Sequence, residues 1–175
     1  MNTRLSTFTG CLRLLLVSLW LGAAVFFSAV VAPVVFNALR GFPLPNTNEI
    51  AGTIVSRALS AVNVSGFAVS LFLLALTVLA ERKKLNLTFL SVTLALTLMT
   101  LAAAAGHWVV AAKMRGLRLA MVTIDQVPPD DSRRIAFNNL HRYSVLLLTL
   151  AMCAAIVAIL MTGLRLLRGT GKTSP

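Results

Sequence analysis

Apolar residues fall into four long runs, about 12–36, 59–80, 87–112 and 144–164, and the stretches between them are short, polar and charged. Each run exceeds the roughly 18 residues that mark a helix able to cross a bilayer. Helix is the element expected, because hydrocarbon offers no partner to backbone N–H and C=O groups and an isolated segment satisfies them only as a helix. Nothing is left over for a soluble domain. The expected fold is therefore all-α, an integral membrane four-helix bundle, with residues 1–175 as a single transmembrane domain ending in a basic tail over 165–175. The first run is too long for the apolar core of a secretory signal, and Pro33 directly after Ala32 makes a poor cleavage site, so it is expected to stay as the first span.

The polar stretches carry boundary signals. Loop 37–46 holds Gly41, Pro43 and Pro45, which break a helix. Asn46 followed by Glu49 has capping-box spacing, so a helix is expected to start there, run amphipathically through Ile50, Ile54 and Val55, and continue into the second span. Residues 81–86 read as a tight basic turn. The third run is longer than the hydrocarbon requires, so its helix must tilt or protrude. Loop 113–143 contains Pro128 and Pro129 followed by Asp130 and Asp131, which predicts a fourth helix starting near Pro129 outside the membrane and entering it around Ser144.

Small and polar residues recurring every three to four positions within a span predict the face turned away from lipid. On the second helix this stripe is Ser56, Ser60, Asn63, Ser70 and Thr77; on the third, Thr93, Thr97, Thr100, Ala104, His107, Ala111 and Met114. On the fourth it is Phe137, His141, Ser144, Leu148, Ala151, Ala155, Ala158 and Thr162. The first helix offers Ser18, Gly22, Ala29 and Pro33, with Gly22 expected where this helix meets a neighbour. Most of these hydroxyls are expected to serve packing and local hydrogen bonds.

Composition sharpens the picture in two ways. With 58% hydrophobic and 12% charged residues, a chain this short cannot bury its apolar surface in water, which leaves lipid as the solvent. The net charge of +11 would suit a nucleic-acid binder only if the basic residues shared one face of a soluble domain. They sit instead in clusters at the ends of the runs: Arg82, Lys83 and Lys84; Lys113, Arg115 and Arg118; Arg165 and Arg168. Such clusters meet anionic headgroups, so the expected partner is the lipid bilayer and no nucleic acid. Basic residues divide equally between the two sides, and the compact cluster at 82–84 favours both termini in the cytoplasm. Cys11 and Cys153 are too few for a disulfide framework and are expected as free thiols.

Candidate chemistry centres on the histidines. His107 and His141 lie on the inward stripes of antiparallel neighbours and arrive at the same membrane end. Two imidazoles there could ligate a haem iron or a metal ion such as copper, with Met114 as a soft third ligand; the alternatives are that each satisfies a nearby serine, asparagine or carbonyl, or that they handle a proton or another ligand. The polar seam is completed by Trp20, Gly22, Pro33, Asn63, Ser70, Thr97, Thr100, Phe137 and Ser144. No serine, histidine and acid are spaced as in a hydrolase. Gly171, Lys172 and Thr173 resemble the end of a phosphate loop but lack its leading glycine and its helix. All five acids lie outside the runs, which argues against a carboxylate-driven pump.

The run Leu19-Trp20-Leu21-Gly22-Ala23-Ala24-Val25-Phe26-Phe27 leading to Ala32-Pro33-Val34-Val35-Phe36, the pair His107-Trp108, and Phe137-Asn138-Asn139-Leu140-His141-Arg142-Tyr143-Ser144 resemble the transmembrane-protein-205-like family of four-span proteins. That family is distantly similar to copper-resistance-protein-D-like membrane proteins. The resemblance implies a four-helix fold and an inner-membrane location, and no established activity. The expected function is a small inner-membrane accessory protein, more a binder than an enzyme, with a histidine-lined metal or haem site. The competing expectations are a structural subunit of a larger membrane complex, or a small transporter acting as a homo-oligomer.

Overall fold

The computed structural model describes residues 3–43, 45–81, 86–121 and 123–170. Its elements are α1 (Thr3–Phe26), a π-helical turn (Phe27–Val31), α2 (Ala32–Arg40), α3 (Thr47–Glu81), α4 (Leu87–Ala104), a second π-helical turn (Ala105–Val110), α5 (Ala111–Met121), a 3₁₀ turn (Ile124–Gln126) and α6 (Ser132–Thr170). Because the π turns continue the helices on either side, these form four columns long and apolar enough to cross a membrane. The protein is an all-α membrane four-helix bundle. Each column packs against two neighbours: α1 on α3 and α6, α4 on α3 and α6.

The columns are 34 to 36 residues long. At about 1.5 Å per residue they outreach the roughly 30 Å of hydrocarbon, so the helices run well past the apolar runs. The third column continues through Met121 instead of ending in a loop at Lys113, and the first reaches Arg40. The sequence marks where apolar residues stop. Helices stop at caps.

Those caps differ from expectation in an instructive way. Asn46 does precede α3, with its carbonyl accepting from Ile50 N, but it sits at φ 61° and its side chain does not close a capping box. Asp125 does that work from across the bundle: its carboxylate accepts from Glu49 N at 3.2 Å and from Asn48 Nδ2 at 2.8 Å. The loop before α6 is thereby strapped to the start of α3. α6 starts at Ser132, not at Pro129, because Asp131 is its cap, accepting from Arg133 N at 2.8 Å. Asn86 caps α4 through Phe89 N.

The first π turn explains itself. Pro33 has no N–H for Ala29, and its ring would press on that carbonyl, so the backbone widens and Ala32 N–H reaches back five residues to Phe27 O. In the second, Ala111 N–H reaches Gly106 O.

The bundle core is small and close-packed. α6 buries Ser144, Leu148, Ala151, Ala155, Ala158 and Thr162, and α3 buries Asn63, Ser70 and Thr77. The face of α1 is another matter. Ser18, Gly22, Ala29 and Pro33 are exposed, and a Cβ on Gly22 would meet nothing within 4 Å, so the expected contact face is the lipid face. The buried face is Thr9, Arg13, Val17, Trp20, Ala24 and Phe27. Close approach comes from the partner helix: a Cβ on Gly66 would stand 2.6 Å from Trp20 Nε1, which donates to Val62 O at 3.0 Å. Smallness on α3 admits a large ring from α1.

Arg13 is 1% exposed. Its guanidinium donates to Thr77 Oγ1 at 2.8 Å and Thr162 Oγ1 at 3.3 Å, tying spans one, two and four together. Midway, Thr100 Oγ1 lies 2.9 Å from Ser70 Oγ. Cys11 and Cys153 are free and exposed. The cluster Arg82, Lys83 and Lys84, and residues 171–175, lie outside the described residues.

Candidate functional site

At the end of the bundle that carries the 3₁₀ turn, α3, α5 and α6 line a cavity of about 430 Å³. Small-molecule sites span roughly 300 to 1,000 Å³. The lining follows from sequence: Gly52, Ser56, Ser60 and Asn63 give α3 a small, polar face that leaves space, and α5 turns Ala111, Met114, Arg115 and Arg118 toward it at helical spacing. α6 closes the third side with Phe137, Asn138, His141 and Ser144, while Phe36 of α2 and Ile124 of the 3₁₀ turn complete the rim.

The lining divides into two chemistries. Arg57, Arg115, Arg118 and His141 are basic, and Val55, Leu59, Met114 and Phe137 are apolar. Arg118 Nε lies 3.2 Å from Glu49 Oε1, and its guanidinium stacks 5.5 Å from the centre of the Phe137 ring. The cavity thus offers cationic donors beside an apolar wall.

The expected site residues separate on this geometry. Met114, Phe137, His141, Ser144 and Asn63 all line the cavity. His107 joins it through Ser60, whose Oγ is 3.2 Å from His107 Nδ1; which of the two donates depends on the tautomer. The His107 ring also stands edge-on to Trp108. Thr97 bonds its own helix at Thr93 O, and Ser70 and Thr100 bond each other deeper in the bundle. Trp20 is core, while Gly22 and Pro33 face outward. Among the described residues no three or more of histidine, cysteine, aspartate and glutamate are grouped to hold a metal ion.

Sequence reading passed over Arg57, Gly52 and the role of Arg115 and Arg118. Their signal was present: positions 111, 114, 115 and 118 share one helical face, visible once the helix continues past 112.

Residues 15–123 match the model of a family described as Domain of unknown function (DUF4149). The chain belongs to this family. The DUF4149 segment takes in the first column from residue 15 on and the whole of the second and third, and supplies the α2, α3 and α5 walls of the cavity; Ile124 and the α6 wall come from beyond it. No curated protein and no solved structure matches the chain.

Proposed function

We propose that this DUF4149 protein is a small accessory protein of the bacterial inner membrane that holds the phosphate-bearing headgroup of an anionic lipid in the α3–α5–α6 cavity. One observation carries the reading: three arginines, Arg57, Arg115 and Arg118, line the same cavity as Val55, Leu59, Met114 and Phe137. A guanidinium matches phosphate with paired donors, whichever leaflet supplies the headgroup. The apolar wall gives the first part of the acyl chains a place to lie. The motif Phe137 to Ser144, which resembles the transmembrane-protein-205-like family, supplies the α6 wall. With both termini cytoplasmic, the cavity opens at the outer leaflet; reporter fusions at the carboxyl end and near Asp125 test that orientation.

A second reading keeps a soft metal ion, since His141 and Met114 line the cavity together and His107 is one hydrogen bond away. Cationic neighbours oppose a cation there, which favours the phosphate reading.

The test is thermal unfolding in detergent with added lipid. A ligand at about 100 times its Kd stabilises by about 2.7 kcal/mol, so short-chain phosphatidylglycerol should raise Tm clearly and phosphatidylcholine should not. Equal stabilisation by inorganic phosphate would make the ligand a soluble anion. No difference between the two lipids would defeat the proposal, and stoichiometric copper or haem in the purified protein would favour the second reading.

A further inference from the structure

Arg118 is set apart from the other cationic groups of the cavity by how tightly it is held. Arg57 and Arg115 are exposed, whereas the Arg118 side chain is 20% exposed. Its Nη1 lies 3.4 Å from Thr53 Oγ1, its plane rests against Phe137, and its Nε faces Glu49. Its Nη2 stands 2.7 Å from where a Cβ on Gly52 would be, closer than any side chain there would allow. The missing side chain at Gly52 is therefore the notch in which the guanidinium is seated.

The hold is incomplete in one respect. Although Nε is near Glu49 Oε1, its buried N–H is not aligned on an acceptor. A buried donor in that state asks for a better-placed partner. Glu49 meanwhile has a second attachment, because its Oε2 accepts from Ile124 N at 3.4 Å in the strap. Its carboxylate neutralises Arg118 through an ion pair without the paired hydrogen bonds that the guanidinium fork can make.

Resting on the headgroup reading of the cavity, we infer that Arg118, seated in the Gly52 notch, is the residue that selects the ligand's phosphate, and that Glu49 is the internal counter-ion that phosphate displaces. A phosphate brings several acceptor oxygens to a fork already oriented by Thr53 and Phe137. Glu49, once displaced, keeps its bond to Ile124 N and remains part of the strap. Arg57 and Arg115 then serve as general attraction for the anionic membrane, while Arg118 discriminates.

The experiment measures binding of short-chain phosphatidylglycerol and phosphatidylcholine to the full chain in detergent. Wild type is compared with Glu49→Gln, Gly52→Ala, Arg118→Lys and, as a control on α6 outside the cavity lining, Arg142→Lys. Glutamine keeps an acceptor for Ile124 N but removes the competing charge, so Glu49→Gln should bind phosphatidylglycerol severalfold more tightly. Gly52→Ala, which adds a good helix former and displaces the guanidinium, should bind it severalfold more weakly with an undiminished Tm in the absence of lipid. Arg118→Lys should lose most of the phosphatidylglycerol preference, and Arg142→Lys should keep it. If wild type shows no such preference, the headgroup reading itself fails. If wild type shows it but Glu49→Gln binds no more tightly, or Arg118→Lys costs no more than Arg142→Lys, the assignment to Arg118 and Glu49 is overturned while the cavity reading stands.

Discussion

Gly66→Ala adds one methyl group and should destabilise the bundle more than almost any other change of that size. The new Cβ would stand 2.6 Å from Trp20 Nε1, 2.7 Å from Cε2 and 2.9 Å from Cζ2, all inside van der Waals contact. The indole cannot swing aside cheaply. It is 4% exposed, packed in the core beside Val17 and Ala24, and anchored by its bond to Val62 O. Overpacking of this kind costs about 1 to 3 kcal/mol, and a buried N–H pulled from its acceptor about 1 to 3 more if the bond breaks outright. Alanine's better helix propensity returns about 1 kcal/mol. The net expectation is a loss of roughly 1 to 5 kcal/mol where the bond breaks and at most about 2 where it holds.

Gly22→Ala provides the internal control, since it is the same exchange on the lipid face of α1 with no atom within 4 Å. Both variants, and wild type, are unfolded by heat or by titrating a denaturing detergent into a mild one. Gly66→Ala should melt well below wild type, and Gly22→Ala at or slightly above it. Adding Trp20→Phe to Gly66→Ala should recover part of the loss, because phenylalanine leaves the added methyl more room and has no N–H to satisfy. Equal melting of the two alanine variants would refute the packing argument.

Three further outcomes follow from the same geometry. Arg13→Ala should lower Tm more than Arg13→Met, because methionine retains bulk where Thr77 and Thr162 close around the guanidinium; equal losses would assign the effect to charge alone. Asp125→Ala removes the cap of α3 and should cost about 0.5 to 2 kcal/mol, read as faster amide hydrogen exchange at Glu49 and its neighbours with the rest of α3 unchanged. The Arg133 guanidinium and backbone N–H hold the Asp131 carboxyl down at about 2, below the ordinary 3.8 of an aspartate. Its cap therefore stabilises α6 fully above about pH 4 and is lost as pH falls toward 2, visible as opening of the first turn in exchange experiments; Asp131→Asn should abolish that pH dependence.

The four spans were legible because apolar runs of bilayer length admit few other structures. The inward faces of α3 and α6 were legible too, since Asn63, Ser70, Thr77, Ser144 and Thr162 are polar residues that lipid excludes, and all are buried. The face of α1 was not, for a physical reason. Small residues mark a contact only when the neighbour comes close on that side, and in this bundle the close approach is Trp20 entering a notch on α3. Arg13 is a charge inside the first apolar run, and only the placement of Thr77 and Thr162 makes it a core residue. The candidate site was half visible. His141, Met114 and Phe137 were picked out by their stripes, but ending the third helix at 112 hid the face on which Arg115 and Arg118 fall.

The two ends of the bundle are built for different tasks, and the middle decides between holding and conducting. Along the inner face of α3 the order from the cavity is Asn63, Ser70, Leu73 and Thr77, the last meeting Arg13. Leu73 is fully buried, as are Leu96 and Met99 opposite it on α4, and all three belong to one apolar cluster with Leu148 and the alanines of α6. A polar solute leaving the cavity toward the far end would have to displace that cluster, where each large side chain is worth about 1.5 to 3 kcal/mol of burial, and then pass a guanidinium held by two threonines. Within one copy of the chain the cavity is therefore a closed-ended pocket. A headgroup bound as proposed would enter and leave by the end where Arg118, Glu49 and the strap lie, so that proposal implies retention and not passage.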